Sequence, residues 1–172
     1  MDLKIFKNKA ILGIDSVVVF ILIIFGCSKI KEYSVLKDVF VFSKDNIVSI
    51  WRVKKDENIH DYNYKLTSSE IDSLSNILTN SKLKKATIND SPSNTLGSMT
   101  ILLDGKEEEK NGDISFEFKR GITLIPIDKD SVYVFLEINK LRDDDSFNMD
   151  EVMQKSYIIE SKELVEFICK NT

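Results

Sequence analysis

Apolar and polar residues alternate in several short runs. Ile114, Phe116 and Phe118 interleave with Ser115, Glu117 and Lys119, the period of a strand with one buried face. Ile47–Val53 and Val132–Ile138 carry apolar residues on both faces, which places them inside a sheet. Met99–Leu103 and Ile122–Ile127 read as further strands, and Pro126 marks an edge or a strand end. Tyr62–Leu66 and Tyr157–Ile159 read as short strands. Val35–Phe42 reads as the first structured run, and Ser43-Lys44-Asp45-Asn46 after it as a turn. Asp104-Gly105 and Asn111-Gly112 are turn pairs, and the charged residues between them, Glu107 to Glu109, read as a loop tip. Residues 81–97 read as a surface loop with a strand near Ala86–Ile88, and residues 141–155 as an acidic insertion.

Two stretches change to the helical period. Thr67-Ser68-Ser69-Glu70 is a capping box, and Ile71, Leu74, Ile77 and Leu78 follow as one stripe ending near Asn80. Ser161 caps a final helix that turns Leu164, Val165, Phe167 and Ile168 inward. The pattern is α+β: an antiparallel sheet of about six to eight strands, with two helices packed on one face.

A weak repeat overlies this pattern. Phe42–Ile47 parallels Ile127–Val132 at an offset of 85 residues, and Tyr64–Leu74 parallels Tyr157–Phe167 at an offset of 93. Two βββα-like units, the second enlarged within residues 141–155, would produce it. Chance likeness between two hairpins is the competing explanation.

The N-terminus differs in character. Lys4, Lys7 and Lys9 precede nine uninterrupted apolar residues, Val17 to Phe25, and then Gly26 and Cys27. A basic start, a short apolar stretch and a small residue are the parts of a secretory signal. Ile24-Phe25-Gly26-Cys27 resembles the lipobox of bacterial lipoproteins. The resemblance covers about 27 residues. It implies that Ile24, Phe25 and Gly26 are read by a signal peptidase, that the chain is cut before Cys27, and that the Cys27 thiol carries lipid. The predicted organisation is a signal peptide over 1–26, a lipidated stem over 27–34 and a single domain over 35–172. The alternative is an uncleaved span. A span needs about 20 apolar residues, and Asp15 interrupts the stretch that begins at Ala10. At least two acyl chains are expected on such a cysteine, enough for a durable tether.

Charge and composition narrow the rest. The chain carries 24 basic and 28 acidic residues. The leader holds three lysines against two aspartates, so the remaining 146 residues carry a formal net charge of −5. An acidic domain argues against nucleic acid as partner and against attachment to anionic head groups by charge. Attachment then falls to the lipid on Cys27, on the outer side of a cell membrane or, as Ser28 after the cysteine resembles, in an outer membrane. With Cys27 acylated, Cys169 has no partner within the chain, and it reads as a small apolar helix residue.

Candidate chemistry is sparse. His60, the one histidine, stands in a polar stretch, with no second imidazole or thiolate for a zinc site. No nucleophile elbow, phosphate loop or dinucleotide glycine pattern occurs. Asp143, Asp144, Asp145, Asp150 and Glu151 form an acidic cluster that could hold a cation or a partner. Counted from Asp143, however, the sixth and twelfth positions are Asn148 and Gln154 rather than the Gly and Glu of a calcium loop. Trp51, Tyr62, Tyr64 and Tyr133 either stack on a ligand or fill the core. No cofactor or metal is expected. The expectation is a non-catalytic binding domain tethered outside the cytoplasm, with an envelope protein or peptide as partner. An immunity-type lipoprotein that sequesters a toxin, a glycan hydrolase built on two carboxylates, and a structural envelope lipoprotein are the competing readings.

Overall fold

The computed structural model describes residues 37–54, 60–62, 64–87, 92, 97–110, 113–141 and 147–172. The expected signal peptide and lipidated stem, with Ile24, Phe25, Gly26 and Cys27, lie outside them. Residues 1–39 and 40–172 form separate compact units. Of the first, Lys37, Asp38 and Val39 are described, and they are helical.

The second unit is α+β, as expected from the alternation. Its strands are β1 (Ile47–Val53), β2 (His60–Asp61), β3 (Leu83–Lys85), β4 (Ser98–Leu103), β5 (Lys106–Lys110), β6 (Asp113–Glu117), β7 (Arg120–Pro126), β8 (Ser131–Leu141) and β9 (Phe147–Glu160). Its helices are α1 (Ser68–Asn80) and α2 (Lys162–Asn171). A seven-stranded sheet runs in the order β2-β1-β4-β7-β8-β9-β3, every pairing antiparallel, and β5 pairs with β6 separately.

One face of the sheet is apolar and holds the core. Ile50, Met99, Ile101, Leu103, Ile122, Leu124, Val132, Val134, Leu136 and Ile159 are buried there. Ile71, Leu74 and Leu78 of α1 and Leu164, Val165 and Ile168 of α2 close over them. Both caps form as the sequence predicts. Thr67 Oγ1 accepts from Glu70 N–H while Glu70 accepts from Thr67 N–H at 2.9 Å, and Ser161 Oγ accepts from Leu164 N–H. Pro126 ends β7, where its missing N–H costs no ladder bond.

Four expectations are corrected, and a fifth is given its form: of the first structured run, residues 37–39 are helical and Phe40–Phe42 is not a strand, although both phenylalanines are buried. Ser75 of α1 holds this segment, donating to Phe40 C=O at 2.9 Å and accepting from Phe42 N–H at 3.2 Å. Tyr64–Leu66 forms no strand either; the pairing falls on His60–Asp61, and beyond it Tyr64 N–H donates to Ile50 C=O of β1. The strand expected near Ala86–Ile88 lies three residues earlier, at the sheet edge beside β9. Glu107–Glu109 is not a loop tip but the middle of β5. The expected insertion 141–155 is largely the outer part of β9, continuous with Tyr157–Ile159. Ladder pairing holds both, β5 against β6 and β9 against β8.

Two stretches of the fold share an order of elements. β1-β2-α1 and β8-β9-α2 are each an antiparallel hairpin followed by a capped helix. A third strand precedes the second hairpin, as β7; among the described residues none precedes the first, where Phe40–Phe42 is bound to α1 instead.

Candidate functional site

β4-β5 and β6-β7 are two arms of one long hairpin. Leu103 pairs with Arg120 and Lys106 with Glu117, a single register carried across the bend between them. The bend rests on backbone geometry. Asp104 has φ 57°, a left-handed conformation that aspartate tolerates better than most residues. A Cβ on Gly105 would stand 1.8 Å from Glu117 C=O, so only glycine fits. Side chains lock it. Asp104 accepts from Arg120 Nε and from Asn46 Nδ2 at 3.0 Å, and Asp104 N–H donates to Asn46 C=O at 2.8 Å. Arg120 also donates to Val41 C=O at 3.1 Å.

The bend carries β6 toward β1. Phe116 meets the Trp51 indole edge-on, ring centroids 5.4 Å apart at 66°, and Tyr62 meets the same indole at 5.4 Å and 85°. Trp51 Nε1 donates to Ser49 Oγ at 3.0 Å, and Ser49 Oγ donates to Tyr62 C=O at 2.8 Å. Tyr62 and Ile114, which shares a strand face with Phe116, are about half exposed, at 49% and 52%.

Trp51 opens a row across the sheet face opposite the helices. By register the row continues through Thr100, Thr123 and Phe135 to Ser156. All five are half-buried, and none is charged. Thr100 and Thr123 hydroxyls bond at 3.0 Å; in the next row Tyr133 donates to Ser156 Oγ at 2.8 Å. On the side its helices leave bare, the sheet therefore presents these rings and hydroxyls, with Leu102 and Ile158 buried in the adjoining rows.

A second feature lies at the β1 edge. A cavity of about 430 Å³ is lined by Ile47, Val48, Ser49, Ile50, Tyr64, Leu66 and Ile71, with Lys44, Lys65 and Glu107 exposed around it.

The expected candidates divide. Trp51, Tyr62 and Tyr133 reach the bare face. Tyr64 does not: its hydroxyl donates to Asn171 Oδ1 at 2.8 Å, and Arg52 lies over its ring at 4.0 Å. Of the acidic cluster, Asp150 and Glu151 fall on β9 where its register shifts against β8, while Asp143, Asp144 and Asp145 lie outside the described residues. Among the described residues no group of three His, Cys, Asp or Glu is placed to hold a metal ion, and no helix is long and apolar enough to cross a membrane. Cys169 is exposed on α2 rather than packed. Phe116 and Thr123 were legible only as alternating strand positions; their neighbours depended on a bend that alternation does not encode. No protein-family model, curated protein or solved structure matches the chain.

Proposed function

We propose that this chain is an envelope lipoprotein, tethered by lipid on Cys27, that binds a protein partner on the sheet face opposite its helices. The observation that carries the reading is the uncharged row Trp51–Thr100–Thr123–Phe135–Ser156, flanked by half-exposed Tyr62 and Ile114. Protein interfaces concentrate aromatic residues and exclude charge at their centre. The rings of Trp51, Tyr62 and Phe135, with no charge between them, match that composition. Ser49 and Phe116 hold the indole in place, which lowers the ordering cost of binding. Lipid on Cys27 would keep the domain at high local concentration beside a membrane-bound partner.

Two measurements test the reading. Metabolic palmitate labelling tests the tether: wild type takes the label and Cys27→Ser does not. Label on the variant contradicts a lipid on Cys27. Fluorotryptophan tests the face, because the chain has one tryptophan and gives one fluorine resonance. Envelope membranes from cells deleted for this protein are added to the labelled full chain. The resonance is expected to shift or broaden saturably, and an unchanged resonance contradicts the reading.

A further inference from the structure

We propose that the cavity beside β1 binds a short free peptide with aliphatic side chains, laid along the open strand edge with both termini charged. This site lies at the β1 edge rather than on the bare sheet face, and Ser49 borders both. β2 pairs only with Arg52 and Val53, and Tyr64 N–H takes Ile50 C=O. From Ile47 to Ser49 the β1 edge therefore borders the cavity with no strand beside it among the described residues. An extended peptide completes such an edge with main-chain hydrogen bonds and places alternate side chains in the adjoining pocket.

The floor selects aliphatic side chains. Ile47, Val48, Ile50, Leu66 and Ile71 line it, with Ile47 and Val48 only half-buried. The volume, about 430 Å³, lies in the range of small-ligand sites.

The rim selects the termini. Lys44, Lys65 and Glu107 are exposed, and none makes an ion pair among the described residues. Two ammonium groups and one carboxylate match a ligand bearing both signs. A fatty anion would leave Glu107 without a counterpart and bring its own charge toward it. An internal segment of a partner protein would leave all three charges without one.

Trp51 reports occupancy, since its indole donates to Ser49 Oγ and Ser49 lines the cavity. The full chain in lipid nanodiscs is titrated with trivaline, N-acetyl-trivaline, trivaline amide and hexanoate, against empty nanodiscs. Trivaline is expected to change the emission saturably, and blocking either terminus to weaken binding. Lys65→Ala and Glu107→Ala each weaken trivaline by about threefold, the scale of an exposed charge pair. The amide loses nothing further in Lys65→Ala, and the acetylated form nothing further in Glu107→Ala. Both side chains are exposed, so these variants keep the fold. Equal binding of the capped and free peptides, hexanoate binding as well as trivaline, or no saturable change up to about 10 mM peptide each overturns the proposal.

Discussion

Phe116 and Trp51 stand edge to face, 5.4 Å apart, although they belong to two different sheets. Their meeting depends on the bend at Asp104-Gly105. A methyl group on Gly105 would collide with backbone at Glu117, which cannot swing away as a side chain can. Gly105→Ala is expected to destabilise the domain by about 2 kcal/mol or more and to release Phe116 from the indole. Urea unfolding and the near-ultraviolet dichroism of Trp51 check both parts. An unchanged midpoint with an unchanged Trp51 signal contradicts this account of the bend.

The Asp104–Arg120 pair is the lock on that bend. Both side chains are mostly shielded from solvent, and Arg120 also ties down Val41 C=O. Arg120→Ala is expected to cost about 1.5–3 kcal/mol, the range for hydrogen bonds to charged groups. Asp104→Asn should cost less than Asp104→Ala, because asparagine tolerates the left-handed backbone and keeps an acceptor for Asn46. Reversed order in chemical denaturation would show that the backbone conformation at 104 is not what matters.

Ser75 supplies two hydrogen bonds inside the core. Ser75→Ala leaves Phe40 C=O and Phe42 N–H without this partner and is expected to cost about 1–3 kcal/mol. Ser75→Thr restores the hydroxyl but adds a methyl group. Denaturant midpoints of the two variants check the prediction; a Ser75→Ala midpoint equal to wild type removes the role assigned to Ser75.

Glu70 links helix α1 to pH. Hydrogen bonds from Thr67 N–H and the Thr67 hydroxyl hold its carboxyl below the ordinary glutamate value of 4.5, with a smaller contribution from Lys170. The folded state therefore favours the ionised form. That stabilisation is complete above the ordinary value and is lost as pH falls through the lowered one. The stability gap between wild type and Glu70→Gln should narrow as pH drops below about 4.5. A gap constant from pH 7 to pH 3 would contradict the capping role.

Local signals identified the elements whose stabilising contacts are themselves local. Thr67 and Ser161 are caps within one turn of the residues they bind, and β1, β4, β7 and β8 lie over the helices, so burial writes a period into them. β5 and the outer part of β9 escape the same rule, because they are held by ladders rather than by the core. Phe40 and Phe42 look like strand residues because burial selects apolar side chains whether the backbone meets a strand or Ser75. The bare face was legible in its residues, Trp51 and Tyr133 among them, but not in its assembly. Trp51, Thr100, Thr123 and Phe135 become neighbours only through strand order, which alternation leaves open. Tyr64 shows the converse: an aromatic residue open to either role is committed to Asn171 and Arg52.

Photo-crosslinking in living cells tests the binding face most directly. A photoreactive residue replaces Thr123, in the middle of the bare sheet face, or Asp72, exposed on α1. A discrete protein adduct is expected from position 123, absent from position 72, and abolished at 123 when Trp51→Ala removes the ring at the end of the same row. Equal adducts from both positions, or an adduct at 123 that survives Trp51→Ala unchanged, would contradict recognition through this face.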